Sequence, residues 1–359
     1  MIARRALPAA TLAAAALALA GCGSGASTRR SSAARTEGSV PRSIGAGLKG
    51  PAGLSATVYA HGPKNTATFA FDGQGRLWLT AAGLESHAND GVYVIAKAGA
   101  RALKVVSGLD DPLGLVWHDG NLFVASVGRV DEYSGFNGKS FRRHIEILRG
   151  PVTGGENNNL LLARDGRLVM GISANCDHCK PTSRYSGSIV SFKQDGSDLH
   201  VYASAIRAPV GLAFLPGTSE LFASMNQRDD LGAKTPGDWF SLVREGEDWG
   251  SPECYGQGGA ACRGVPRPTA VLDKHGAVGG IAMVDGQLAA GAGTSALVAE
   301  WAVSKVERVA LKKSGSTYSG SVSTFLTGLQ NPLAIGRAPD GSLLVGDWST
   351  GTIYRIAAS

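Results

Sequence analysis

The chain has 359 residues and a formal charge of +6 at pH 7. Arg4 and Arg5, with five basic side chains between residues 23 and 50 set against Glu37, account for all of that charge, so the remainder is neutral. A nucleic-acid partner, which needs a basic face on the folded domain itself, is thereby excluded.

The first element is a leader. Arg4 and Arg5 precede an Ala/Leu run that ends in "LAGC", Leu19 to Cys22. A charged start, a short apolar stretch and small residues before a cysteine read as a bacterial lipoprotein signal, too short to span a bilayer once mature. Residues 1–21 are the expected signal peptide. Cleavage before Cys22 would free its thiol for lipid, placing the chain outside the cytoplasm, anchored to a bacterial membrane. Residues 22–52, rich in Gly, Ser, Ala and Arg with no apolar period, read as a tether. Its charges suit either anionic head groups or solubility.

From residue 53 onward one pattern recurs: a short apolar strand, a turn usually built on Asp-Gly, and a second apolar strand. It appears as "ATFAFDGQGRLWLTAAG" (67–83), "PLGLVWHDGNLFVASVG" (112–128), "NNLLLARDGRLVMGIS" (158–173), "PVGLAFLPGTSELFASMN" (209–226), "VGGIAMVDGQLAAGAG" (278–293) and "PLAIGRAPDGSLLVGD" (332–347). The first Leu after each turn, at Leu77, Leu122, Leu168, Leu221, Leu288 and Leu343, marks spacings that suit four-stranded blades. Asp-Gly supplies the positive φ a tight hairpin needs. Sheets arranged radially cover one another's faces and leave only short edges, so the expected fold is all-β: a six-bladed β-propeller of four-stranded antiparallel sheets spanning residues 53–359. "SATVYAHG" (55–62) is expected to pair with the last blade and close the ring.

In such a ring, residues before each first strand and after each second strand share one mouth. Two cysteine pairs, Cys176 with Cys179 and Cys254 with Cys262, read as local disulfides in an oxidising compartment, with a four-Cys zinc site as the alternative. The loop "NQRDDLGAKTPGDWF" (226–240) leaves the second strand of blade four at the mouth. Its closely spaced acidic oxygens suit a hard cation such as calcium, with Asp229, Asp230 and Asp238 as candidate ligands.

The stretch "RAPVGLAFLPGTSELFASMNQRDDLGAKTPGDWFSLVREGEDWGSPECYG" (207–256) resembles the glucose/sorbosone dehydrogenase family, soluble six-bladed propellers that use pyrroloquinoline quinone (PQQ) with calcium. The likeness continues in "SANCDHC", "KHGAVGGIAM", "WAVSKVERV" and "FLTGLQNPLAIGRAPDGSLLVGDWSTGTIYRI". The resemblance implies a quinone-binding mouth in which Arg207 contacts the cofactor, Arg228 and Asp229 offer backbone carbonyls to calcium, and Lys305 lies near the cofactor. His275 stands where sorbosone-type members often carry a histidine. The implied activity is oxidation of an aldose, a sorbosone-like aldehyde sugar or a polyol, with electrons passed to a respiratory acceptor.

The sequence departs from that family at the head of blade three, where a histidine removes the sugar's hydroxyl proton. Here the chain reads "TGGENNNLLL", and no histidine lies between His144 and His178. Ala208 and Asn331 also replace residues that contact cofactor in many members. His178 and then His275 are the candidate replacements for the missing base. Two other readings compete: a non-catalytic propeller acting as an extracytoplasmic binding or scaffold protein, and a metal-dependent lactone hydrolase using Glu156 to Asn159.

Overall fold

The computed structural model describes residues 41–150, 155–181, 183–255, 258–289 and 293–359. The leader and Cys22, on which the export and anchoring expectations fall, lie outside the described residues. Six antiparallel sheets follow one another along the chain. From the inner strand outward, blade one is Thr66–Phe71, Leu77–Ala81, Gly91–Ile95 and Leu103–Val106. Blade two is Gly114–His118, Asn121–Ser126, Arg129–Ser134 and Arg143–Arg149. Asn157–Leu162, Leu168–Ile172, Ser188–Phe192 and His200–Ala203 build blade three. Pro209–Phe214, Leu221–Met225, Trp239–Val243 and Ala270–Val271 build blade four. Blade five starts with Val278–Val284, Ser295–Glu300, Lys305–Ser314 and Thr317–Thr327.

Blade six joins Pro332–Arg337, Leu343–Asp347 and Thr352–Ala358 to Leu54–His61 from the start of the domain. The register runs from Thr352 opposite His61 to Ala358 opposite Leu54, so the two ends of the domain are zipped by backbone hydrogen bonds, as the sequence led us to expect.

The hairpin chemistry is visible at blade two. His118 pairs with Asn121 across Asp119 and Gly120, whose φ values of 46° and 81° are those of a two-residue primed turn. In five of the six blades the second strand is buried along its whole length, because each blade is covered on both faces by its neighbours. The core is correspondingly divided into six wedges, one between each pair of adjacent blades; Trp78 and Val92 of blade one, for example, pack on Leu115 and Leu122 of blade two. The inner strands ring an axial cavity of about 450 Å³ walled mainly by apolar side chains, with Asn158 and Asn159 among its lining.

Two expectations need correction. At blade five, Asp285-Gly286 does not turn directly into a second strand: Gly286–Ala289 forms a 3₁₀ turn, and the second strand is Ser295–Glu300, so Leu288 is not a strand marker although it is buried. The end of the segment read as tether is also structured. Arg42–Gly45 and Leu48–Gly50 add two strands to the outer edge of blade five, anchored by Leu48, which is fully buried with Phe325 and Leu326.

Candidate functional site

The second strands end, and the first strands begin, on one side of the ring. That mouth concentrates buried polar atoms without a hydrogen-bond partner among the described residues: Thr80 Oγ1, Ser126 Oγ, Asn157 Oδ1, Asn226 Oδ1, Asp238 Oδ2 and Trp301 Nε1. They come from blades one to five. Buried polar groups are normally satisfied, so a set of donors and acceptors converging on one mouth fits a polar ligand or ordered water.

The richest part of the rim joins blades three, four and five. Arg207, at the head of blade four, donates through Nη1 to the Asn226 carbonyl at 3.1 Å and through Nη2 to Asp177, while its buried Nε has no partner. Asp177 lies in the Cys176–Cys179 disulfide loop and also accepts the Asp229 backbone N–H at 3.2 Å. Asp229 in turn accepts from His275 Nδ1 at 2.7 Å, and His275 Nε2 faces the Gly232 carbonyl at 2.9 Å. Both partners are acceptors. The imidazole therefore donates from both nitrogens, and the Asp229 hydrogen bond, followed by that to Gly232, raises its pKa.

Arg228 is buried and forks onto Asp230, at 2.6 and 2.5 Å, with its guanidinium 4.6 Å from the centre of the Tyr255 ring. This pairing holds the Asp230 carboxyl below its ordinary value. His178 stands edge-on to the same Tyr255, ring centres 6.5 Å apart, and none of the described hydrogen bonds engages its nitrogens.

Tyr255 reaches the rim on an insertion. Residues 246–251 climb beside the outer strand of blade three, with Gly246 N–H donating to Tyr202 O at 2.8 Å and Ser251 N–H to Ala205 O at 3.0 Å. Trp249 stacks on Trp239 with ring centres 4.5 Å apart, and Cys254–Cys262 closes the hook. Both cysteine pairs are thus local disulfides, which removes the zinc alternative.

Asp238 sits beneath this rim, 2% exposed. Its Oδ1 accepts the Gln227 N–H at 2.8 Å, whereas Oδ2 lacks a well-formed hydrogen bond. Burial pushes its pKa up to about 6, and the N–H groups of Gln227 and Val278 offset this only in part. The three candidate aspartates have separate partners: Asp229 holds His275, Asp230 holds Arg228, and Asp238 holds the loop backbone. Among the described residues, the groups of three acidic or His ligand atoms lying within 4.8 Å of one another are elsewhere, at His87, Asp90 and Asp110 and at Asp273, Glu300 and Glu307.

Lys305 belongs to the latter group. Its ammonium pairs with Asp273 and Glu307 and stands 3.5 Å from Glu300 Oε2. At the other group, His87 Nδ1 lies 2.9 Å from Asp90 Oδ2, and Asp90 accepts backbone N–H groups of Gly83 and Asp111 at 2.8 Å, which staples the rims of blades one and two. At the head of blade three, Asn157 donates to Ser126 O at 2.7 Å, Asn158 to Ser173 Oγ at 2.7 Å and Asn159 to Leu212 O at 3.2 Å.

Sequence reasoning missed Tyr255, Glu300 and Glu307 as rim or wall residues. For the glutamates a signal existed, since each is a charge inside an otherwise apolar strand, "SALVAE" and "KVERVAL".

No protein-family model matches the sequence, and no curated protein matches it. Solved structures do. The PQQ-bound aldose sugar dehydrogenase of Streptomyces coelicolor aligns with a TM-score of 0.68 at 17% identity over 86% of this chain and 100% of that one. The holo PQQ domain of pyranose dehydrogenase from Coprinopsis cinerea gives 0.69 at 15% identity over 86% and 96%. The calcium structure of the family AA12 carbohydrate-active enzyme of Trichoderma reesei gives 0.69 at 15% identity over 87% and 97%. The chain has the fold of these sugar-dehydrogenase propellers.

Proposed function

We propose that the mouth binds calcium and PQQ and oxidises a hydroxyl of an aldose or a related aldehyde sugar or polyol. The observation that carries this reading is the convergence of unpartnered buried polar atoms on the mouth beside Arg207. The donor set fits the cofactor pair. Asp238 Oδ2 and Asn226 Oδ1 are hard oxygen acceptors suited to calcium. The open Nε–H of Arg207, a fixed planar donor, suits a carboxylate of the quinone. Bound there, the quinone would supply the two-electron acceptor chemistry. The chain's own part is to bind and orient: Asp177 fixes the Arg207 fork, and the Arg228–Asp230 pair holds the acidic loop against Tyr255.

His178 is the better proton acceptor of the two candidates, because His275 already carries hydrogens on both nitrogens in its hydrogen-bonded state. A positioned base contributes about 10² to 10⁴ in rate. His178→Gln is expected to lower dye-reduction kcat by that range and leave quinone affinity unchanged. The lipid anchor at Cys22 and a respiratory electron acceptor complete the proposal; loss of membrane partitioning in Cys22→Ser tests the anchor.

A second reading, a non-catalytic extracytoplasmic binding or scaffold propeller, is favoured by one observation: Arg207, Arg228 and Lys305 are each already paired with carboxylates. The lactone-hydrolase reading keeps only part of its ligand set, because Asn159 Oδ1 accepts the Leu160 N–H at 2.8 Å while Asn157 Oδ1 is unpartnered. Calorimetric titration of the full-length protein with PQQ, in calcium and then in chelator, decides between the leading pair. Calcium-dependent binding with sugar-dependent dye reduction supports the dehydrogenase, binding without turnover leaves the scaffold reading, and no binding ends the quinone proposal.

A further inference from the structure

Blade five carries a buried acidic pocket at its mouth end, beside Asp238. Glu300 ends its second strand and is 0% exposed; Glu307, on the adjoining third strand, is 2% exposed. Asp273 approaches from the loop that enters the blade and donates its backbone N–H to Glu300 Oε1 at 3.2 Å. One ammonium, Lys305, serves all three carboxylates. Glu300 Oε2 and Glu307 Oε2 are buried and accept no hydrogen bond, although Glu300 Oε2 faces the ammonium at 3.5 Å.

Glu300 and Glu307 are buried and share the Lys305 ammonium with Asp273, and negative charge held there is penalised strongly by burial. Burial accordingly raises the Glu300 pKa well above the ordinary carboxylate range. Another acidic group lies nearby: a methyl group built on Gly276 would lie 3.4 Å from both the Glu300 carboxyl carbon and Asp238 Oδ2, so the two acids flank one glycine.

The geometry also suits a cation more compact and more highly charged than ammonium. Oxygens held about 2.4 Å from one calcium ion are at most about 4.8 Å apart, and one ligand atom from each of Asp273, Glu300 and Glu307 satisfies that limit with the others. All are hard oxygens, without sulfur or imidazole, which selects calcium or magnesium over zinc. Bidentate carboxylates supply up to six ligands, and Thr324 Oγ1, 3.3 Å from Glu307 Oε1, offers another oxygen.

We propose that Asp273, Glu300 and Glu307 form a binding site for a divalent cation of the calcium class, a site that the Lys305 ammonium closes until the cation displaces it. The site lies at the mouth end of blade five, next to Asp238, and because its test contains no quinone its failure is distinguishable from failure of the quinone reading.

The test is calorimetry of the chelator-stripped full-length protein in detergent, titrated with calcium chloride and with no quinone present. Lys305→Met removes the competing cation, and calcium affinity is expected to rise about tenfold or more, with thermal unfolding becoming calcium-dependent. Glu307→Gln keeps the side-chain shape, removes one charge and is expected to weaken the same binding about tenfold. Asp238→Asn, which perturbs the mouth, leaves this step in the titration in place and so separates the two cation sites. If Lys305→Met unfolds in chelator, recovery on adding calcium supports the site. Affinity that changes in neither Lys305→Met nor Glu307→Gln, or a Lys305→Met protein that calcium does not rescue, overturns it and leaves Lys305 as a fixed counter-ion.

Discussion

Asp238→Asn gives the sharpest test of the electrostatics at the mouth. In the folded chain burial lifts the Asp238 pKa from 3.8 to about 6. A tenfold change in proton affinity is worth about 1.4 kcal/mol, so this rise corresponds to about 3 kcal/mol. The native state holds more protons than the unfolded chain between roughly pH 4 and pH 6, so stability falls as pH rises through that window and the full penalty persists above it. Replacing the carboxylate with an amide keeps an acceptor for the Gln227 N–H and removes the titration. The amide's own burial cost does not depend on pH. The stability difference between variant and wild type, measured by urea unfolding in chelator, is therefore expected to shift by about 2.4 kcal/mol in favour of the variant between about pH 4 and pH 7.5. Taking a difference cancels the other carboxylates that titrate over the same range. Calcium, if Asp238 ligates it, lowers the carboxyl's pKa again and shrinks the effect. Parallel profiles for variant and wild type in chelator would refute the argument, because they would mean Asp238 ionises in the fold as easily as in water.

Three other changes test different links. Gly211→Ala would place a methyl 2.3 Å from the Gly279 carbonyl oxygen where the inner strands of blades four and five meet, and is expected to cost about 1 to 3 kcal/mol in chemical denaturation. Asp229→Asn is expected to lower the His275 pKa, read by NMR titration; because that pKa is raised in the fold, the pair's contribution is complete below the ordinary histidine value and fades as pH climbs through the raised one. Cys176→Ser with Cys179→Ser opens a loop so short that chain entropy accounts for only about 2 kcal/mol. Its larger expected effect is on quinone affinity, measured by equilibrium dialysis, since Asp177 then loses the frame that holds the Arg207 fork.

The ring was legible because its signals are local. Five of the six leucine markers, Leu77, Leu122, Leu168, Leu221 and Leu343, fall at the start of second strands, since a short hairpin connection fixes register from residues close in sequence. Leu288 failed because Asp-Gly also opens 3₁₀ turns, and nothing in "GQLAAGAG" states how far the chain travels before pairing again. Arg42–Gly45 and Leu48–Gly50 were invisible for a different reason. Their burial rests on Leu48 and the partly buried Ile44, too few side chains to give a period, and blade five supplies the hydrogen bonds. The site was harder still. Arg207 and the 226–240 loop were placed at the mouth by topology, but who pairs with whom depends on contacts such as Asp177 with Arg207 across 30 residues and Asp229 with His275 across 46.

The insertion at residues 244–269 explains why chemistry gathers on one arc of the rim. A propeller rim is otherwise a set of independent loops, each free to solvate its own charges. Here one segment bonds along the outer strand of blade three, stacks Trp249 on Trp239 of blade four, and returns with Tyr255 over the Arg228 guanidinium. It thereby joins two blades at their upper edges and limits the freedom of Arg228, whose long side chain would otherwise lose rotamer entropy on binding a ligand. On the opposite arc, blades one and two meet through His87, Asp90 and Asp111, whose hydrogen bonds run to backbone and to one another. Preorganised cations with unpartnered acceptors beside them occur where the insertion reaches, so that arc is where a ligand finds groups already held in place.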